Sequence, residues 1–385
     1  MSMRNMEKRN IPISIPSMGE EEWMALKGPI ESGWITQGPK VREFEKMFAE
    51  RHQVKYALAV SNCTTALHLA LLACGIGKGD EVLVPAFTWV STANAVMYCN
   101  ATPVFVDINP MTFNIDIDQI ASKITGRTKA IIPVHLFGLC ADVDTIKLKF
   151  PDLKIVEDGA CAAGAALMGR PAGSLGHVGC FSFHPRKSVT TGEGGMLTTN
   201  DESLAKRLDM LRNHGASVSE EQRHHGPKPY ILPAFDLVGY NYRMTDLQGA
   251  IGTIQLSKLD RFIDERHHWA AYYTEALKEI KWMRTPVVPA DYKHGWQSYV
   301  TFIDESKSPM KRNDIMELLQ AKGIATRPGT HAVHMLDFYA RTFNIQPMDF
   351  PGAFAADQYS MSIPLHNKMT KDDYDYVIMA LKSIK

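Results

Sequence analysis

The chain has 385 residues, enough for two domains, and its 45% apolar and 22% charged residues are ordinary globular values that allow a sizeable core. Lys plus Arg equals Asp plus Glu at 42 each, so a net charge near zero gives no electrostatic reason to expect nucleic acid or an anionic membrane as a partner. No apolar run reaches membrane-spanning length: the best stretch, Tyr56 to Gly77, is broken by Ser61, Asn62, Thr64, Thr65 and His68, and the N-terminal segment has no apolar signal-peptide core.

Six cysteines, at 63, 74, 99, 140, 161 and 180, include no CxxC pair. They read as reduced, mostly buried thiols of a cytoplasmic protein, and no metal site is assigned. Along the chain, Tyr56-Ala-Leu-Ala-Val predicts a short buried strand and Thr65 to Cys74 a helix. Glu81-Val-Leu-Val-Pro, Thr102-Pro-Val-Phe-Val-Asp, Lys129-Ala-Ile-Ile-Pro-Val and Lys154-Ile-Val-Glu-Asp predict further strands. Strands apolar on both faces and separated by helices predict an α/β fold with a mainly parallel sheet. In such sheets working residues gather at the carboxyl ends of strands, where Ser61 to Thr65, Phe87 to Trp89, His135 and Asp158 fall.

Ala216 to Leu232 predicts a long polar loop, and Met244 to Leu277 one long helical segment leading out of the sheet domain. Beyond Lys281, a strand at Gln297 to Ile303 and helices at Lys311 to Lys322 and Lys371 to Ile384 predict a smaller α+β domain. The boundary falls near 250, giving domains 1–250 and 251–385, with residues 1–35 packing on the smaller one.

Four segments carry chemistry. In Ser182-Phe183-His184-Pro185-Arg186-Lys187, followed by Thr190-Thr191-Gly192-Glu193-Gly194-Gly195, a lysine precedes a turn of small residues. A lysine amine forms a Schiff base with an aldehyde; taken alone, Lys187 reads first as a surface lysine next to a turn, and the surrounding motif changes that. Asp158, at the end of a buried strand, suits a protonated pyridine nitrogen, and as readily a helix cap or structural ion pair. Ser61-Asn62-Cys63-Thr64-Thr65 opens a helix with hydroxyl residues, which makes either a phosphate seat or ordinary capping. Trp89, after Phe87-Thr88, is either a ring that stacks on a flat cofactor or a core aromatic.

The order of these segments resembles the DegT/StrS family of sugar aminotransferases. The resemblance runs over nearly the whole chain, from Gly33-Trp34-Ile35-Thr36-Gln37-Gly38-Pro39 through the C-terminal helix, and rests above all on the Lys187 stretch and Gly239-Tyr240-Asn241-Tyr242-Arg243-Met244. It implies the fold-type I architecture, a mainly parallel seven-stranded-type sheet flanked by helices with a smaller C-terminal α+β domain, and pyridoxal 5'-phosphate as cofactor. It implies that Lys187 holds the cofactor and moves the proton once released, that Asp158 pairs with the ring nitrogen and that Trp89 stacks on the ring. Thr64, Thr65 and Ser182 would hold the phosphate, and Asn241 would reach the phosphate of the other subunit of a homodimer. Two positions depart from the family: Cys161 stands where many relatives have a Gln supporting the ring hydroxyl, and Gly159 where many have Ala.

The implied reaction moves an amino group from glutamate to a keto- or aldehydo-sugar, either nucleotide-linked or free, as with an octulosonate bearing a terminal aldehyde, for amino-sugar and surface-polysaccharide synthesis. His184, His331, His334, Arg327 and Arg341, with the 216–232 loop, are candidates for contacts to the acceptor. A dehydratase of the same family would carry His in place of Lys187. A regulatory protein built on this fold would need a basic DNA-binding segment, which the charge distribution does not supply.

Overall fold

Short runs that are apolar on both faces must be covered on both sides, and the chain does so with helices. The computed structural model describes residues 9–218, 230 and 232–385; most of the loop expected at 216–232 lies outside the described residues. The main sheet uses β1 (Tyr56–Val60), β2 (Glu81–Pro85), β4 (Thr102–Val106), β5 (Thr128–Ile131), β6 (Lys154–Asp158), β7 (Val178–Ser182) and β8 (Gly195–Thr199), with the two-residue β3 (Phe87–Thr88) set apart. Its order is β1-β8-β7-β6-β5-β2-β4. β4, β2, β5, β6 and β7 run parallel, and β8 runs antiparallel to both of its neighbours. β7 and β8 are absent from the sequence expectation, because Gly179, Gly194 and Gly195 interrupt their apolar runs.

Each face has its own core. Leu67, Leu71, Val84 and Val134 lie in one, which includes α4 (Cys63–Ala73). Phe44, Phe48, Phe181, Phe183 and Phe262 lie in the other, under α3 (Pro39–Arg51) and α6 (Asp246–Ser257). The buried Asp246 carboxylate fixes this second face: it accepts from the N–H groups of Gly38 at 2.8 Å, Val41 at 3.0 Å and Lys40 at 3.1 Å, which satisfies the opening turn of α3. A methyl group at Gly249 would sit 2.7 Å from the Val41 nitrogen, so only glycine lets the two helices meet this closely.

The single long helix expected over 244–277 is two helices. α6 ends at Lys258, whose N–H turns to the Gln255 carbonyl at 3.2 Å and whose ammonium pairs with Glu22 at 2.6 Å and with Glu21; α7 (Leu259–Leu277) follows. Along α7 the packing changes hands. Leu259, Phe262 and Ile263 belong to the core under the main sheet, and Ala270, Tyr273 and Leu277 to a third, C-terminal core.

That third core joins β9 (Met283–Arg284), β10 (Tyr299–Ile303) and β12 (Ser360–Ile363), an antiparallel sheet, to α8 (Arg312–Ala321) and α9 (Lys371–Lys382). The N-terminal segment divides between the two regions. Ile11 bonds through its backbone to Gly323 and Ala325, whereas α1 (Glu20–Ala25) reaches α6 through Glu22 and Gln255 at 2.8 Å. β11 (His331–Ala332) leaves the C-terminal part and pairs with β3, so that His331 lies opposite Thr88.

Candidate active site

The carboxyl ends of β6 and β7 bring together residues that are distant in sequence. Asp158 closes β6, is 4% exposed, and accepts from the Thr92 hydroxyl at 2.8 Å and the Ala160 N–H at 3.1 Å. Thr92 lies on α5 (Ser91–Tyr98), and its hydroxyl also sits 3.1 Å from that of Thr88. Because Thr92 gives its one proton to the carboxylate, Thr88 is the donor of the second bond. Thr92 is not singled out by the sequence, and Thr88 only as part of the Phe87 to Trp89 segment; the signal that links them is their four-residue spacing.

Strand alternation turns the neighbouring Glu157 to the opposite face. It accepts from His135 Nε2 at 2.8 Å, from the Gly173 N–H at 2.7 Å and from the Gly176 N–H. His135 Nδ1 in turn accepts from the Ala141 N–H at 3.0 Å, which fixes the tautomer with the proton on Nε2. His135 is therefore a fully buried support of the strand end and does not face the site with Asp158.

Lys187 sits in the loop between β7 and β8. The Thr/Gly-rich turn after it is held by its own hydroxyls: Thr190 donates to the Phe183 carbonyl at 2.8 Å and Thr191 to that of Glu193 at 2.6 Å. The Lys187 amine donates to Cys161 Sγ at 3.1 Å. Burial works against its charge, but Cys161, through charge and hydrogen bond, and then Cys63 and Asp158 outweigh it and hold the ammonium above the ordinary lysine value. A further brace comes from the C-terminal part: the Gln297 amide donates to the Arg186 carbonyl at 2.9 Å, and Ser298 fixes that amide by donating to its oxygen at 2.9 Å.

The start of α4 lies two strands away in the same layer, since Ser182 pairs with Gly195 and Gly195 with Val60. A methyl group at Gly195 would stand 2.5 Å from the Asn62 carbonyl, so glycine alone allows β8 to pass beneath this helix start. Asn62 caps α4 by accepting from the Thr65 N–H at 2.9 Å, and the Thr65 hydroxyl donates back to the Asn62 carbonyl at 2.7 Å. Thr65 thus shapes the helix start with its only hydroxyl proton already engaged. The Ser182 hydroxyl accepts from the His184 N–H at 3.4 Å, Thr64 stands in the first turn of this eleven-residue helix, and an anion placed there would meet its positive end.

Trp89 is 60% exposed beside the strand ends, its ring 5.5 Å from that of His331. Of the candidate acceptor contacts, His331 reaches the site through β11, and His184 lies in the Lys187 loop, its Nδ1 accepting from the Arg186 N–H at 3.2 Å and its pKa lowered by burial. Arg327 is exposed just before β11 and donates to the Thr326 carbonyl at 2.8 Å. His334 is a correction: it is fully buried, its Nε2 lies on the Pro347 carbonyl at 3.0 Å and its ring against Phe350, so it is a core histidine and not an acceptor contact. Arg341 pairs with Asp337 at 3.2 Å on the surface. Asn241 is exposed on a segment that runs along the outer edge of β1, where the Tyr242 carbonyl accepts from the Ser61 N–H at 2.8 Å.

An amine, a carboxylate supplied with donors, an exposed indole and a helix start with hydroxyl side chains fit one compact aromatic aldehyde that carries a phosphate and a ring nitrogen. The comparisons agree with that fit. The model of the DegT/DnrJ/EryC1/StrS aminotransferase family matches residues 16–382. The chain is 39% identical over 383 residues to the spore coat polysaccharide biosynthesis protein SpsC of Bacillus subtilis, covering 98% of each. It is also 39% identical to the GDP-perosamine synthase of Caulobacter vibrioides, covering 97% of this chain and 98% of that one. A putative sugar aminotransferase of Streptococcus pneumoniae, solved in PMP and PLP forms, superposes with a TM-score of 0.89 at 28% identity over 98% of both chains. The chain belongs to the DegT/DnrJ/EryC1/StrS family and is a pyridoxal-phosphate-dependent sugar aminotransferase.

Proposed function

We propose that this aminotransferase takes its amino group from glutamate and passes it to the carbonyl carbon of a nucleotide-linked keto-sugar. The observation that carries the reading is the Lys187 amine in the field of Asp158 and on Cys161, at the carboxyl ends of β6 and β7. Pyridoxal phosphate, when bound, supplies an aldehyde and a ring that takes up electrons. The chain supplies position and proton transfer. Lys187 would hold the aldehyde and, once free, would serve as the base and acid that takes a proton from the substrate carbon and returns it within the site. Asp158 keeps the ring nitrogen charged, and the Thr92 hydroxyl orients that carboxylate. Thr64, Ser182 and the α4 N–H groups would hold the phosphate in a seat shaped by Thr65, Trp89 would stack on the ring, and Cys161 lies beside the amine.

His331, beside Trp89, and His184, in the Lys187 loop, would be the nearest contacts to an acceptor, and the exposed Arg327 before β11 would supply a positive charge for its anionic groups. The name of the Caulobacter relative supports a nucleotide-linked sugar over a free one. Self-association as a homodimer is supported by the exposed apolar side chains of Phe235 and Val238 beside the exposed Asn241, which on this reading serves the neighbouring subunit's phosphate. Six unpaired cysteines suit a reducing, cytoplasmic setting, and no helix among the described residues is long and apolar enough to cross a membrane. Mass spectrometry of the protein incubated with labelled glutamate and a panel of nucleotide-linked and free keto-sugars tests the assignment. An amino-sugar carrying the label on a nucleotide-linked acceptor is the expected product. Label appearing only on a free sugar, or transferred from another amino acid but not from glutamate, contradicts it.

A further inference from the structure

Four of the six thiols are buried, and Cys74, although half-buried, has no amine as a hydrogen-bond partner among the described residues. Burial pushes Cys63 and Cys180 well above the ordinary thiol range, Cys74 to about 11, Cys99 to about 12, and Cys140 up as well. Cys161 differs in its partner. It is half-buried like Cys74, but lies in the tight turn after Asp158 that the Ala162 N–H closes onto the Gly159 carbonyl at 2.8 Å. Its sulfur is 3.1 Å from the nitrogen of Lys187, which is itself half-buried. Sulfur and nitrogen therefore face each other inside the reaction site, on two short loops anchored by β6 and β7, and no rearrangement of the fold is needed to join them.

We infer that Cys161 and Lys187 are joined by a peroxide into a reversible sulfur–nitrogen cross-link that removes the amine from service. In the first step the Cys161 sulfur attacks one oxygen of hydrogen peroxide, the O–O bond breaks, and a sulfenic acid and one water result; sulfur is oxidised and the peroxide reduced. In the second step the unprotonated Lys187 nitrogen attacks that sulfur, the S–O bond breaks, and the hydroxyl leaves as water with one proton from the nitrogen. A thiol reductant reverses the change by two exchanges: the first cleaves the S–N bond and returns the amine as a mixed disulfide forms, and the second frees Cys161 and yields the oxidised reductant.

The cross-link needs a free lysine. On the reading that Lys187 carries the cofactor, it forms only in the half of the cycle in which glutamate has released that lysine. The enzyme is then open to inactivation when amino donor is plentiful and acceptor is scarce.

The experiment uses the holoenzyme in two arms, as loaded with pyridoxal phosphate and after incubation with glutamate, each exposed to hydrogen peroxide and digested with trypsin without reductant. Trypsin cuts after Lys154, Arg186 and Lys206, and after Lys187 only while its amine is free, so the unjoined chain yields 155–186 and 188–206, whereas a joined Lys187 is not cut and leaves 155–186 and 187–206. The expected result is that the latter two stay joined, at the sum of their masses less two hydrogens, at least tenfold more in the glutamate arm. Dithiothreitol should separate them. The joined species should be absent from Cys161→Ser and unchanged in Cys74→Ser. Separate peptides in both arms, with Cys161 carried on to the sulfinic or sulfonic acid, overturn the inference while leaving the aminotransferase reading intact. Equal joining in both arms keeps the cross-link and contradicts Lys187 as the cofactor's lysine.

Discussion

The Thr92 hydroxyl is the smallest part of the site with a measurable consequence. It donates to Asp158 from a fully buried position and receives from Thr88, so the carboxylate is held by a chain of two hydroxyls. Replacing Thr92 with the isosteric Val leaves one lobe of a buried carboxylate without its donor, a loss on the order of 1–3 kcal/mol, or roughly fivefold to 150-fold in kcat. Thr92→Ser should restore most of the rate, and the cofactor's visible band should titrate differently in the Val variant alone. A Val variant with wild-type kcat and titration contradicts this role. Asp158 and Trp89 stand out in the sequence because one closes and the other follows an expected strand, and Lys187 because a Thr/Gly-rich turn follows it. Thr92 and Gln297 do not, because their partners lie far along the chain and nothing in the local pattern points to them. His334 misled for the opposite reason: a histidine beside a plausible site residue carries no mark of whether its ring points into the core.

At the scale of elements, the parallel strands were legible because apolar runs without alternation have one stable use. The glycine-broken β7 and β8 were not, since their identity is set by pairing on both sides. The break at Lys258 was likewise invisible, because it depends on Glu21 and Glu22 more than 230 residues earlier in the chain. Asp246 is the element-level counterpart of Thr92. One carboxylate at the start of α6 satisfies the opening amides of α3, joining two helices that bury the face behind the site. Asp246→Ala strands the buried N–H groups of Gly38 and Val41 and should cost about 2–5 kcal/mol of unfolding free energy, read as a lower denaturation midpoint. A change below about 0.5 kcal/mol would mean that water replaces the carboxylate.

The whole molecule raises the question of which chain completes the site. Asn241 lies on the outer edge of β1, exposed, on a segment that touches Ser61 of its own chain through the Tyr242 carbonyl. If it serves the neighbour, Lys187→Ala and Asn241→Asp, each inactive alone, should regain activity when mixed, because the hybrid dimer has one site with both lesions and one with neither. Activity per hybrid should approach half that of the wild type. Hybrids confirmed by native mass spectrometry that stay inactive would place both residues in one chain's site. The partner of this segment comes from the family resemblance and not from the residues themselves, since an exposed edge looks the same whether it meets solvent or another subunit.

The central claim is that Lys187 is the residue to which pyridoxal phosphate is joined. Borohydride reduction of the loaded enzyme, followed by digestion and peptide mass spectrometry, addresses it directly. A single reduced cofactor adduct on Lys187, lost in Lys187→Ala, is the predicted result. An adduct on any other lysine, or none in a protein that is yellow with bound cofactor, would contradict it.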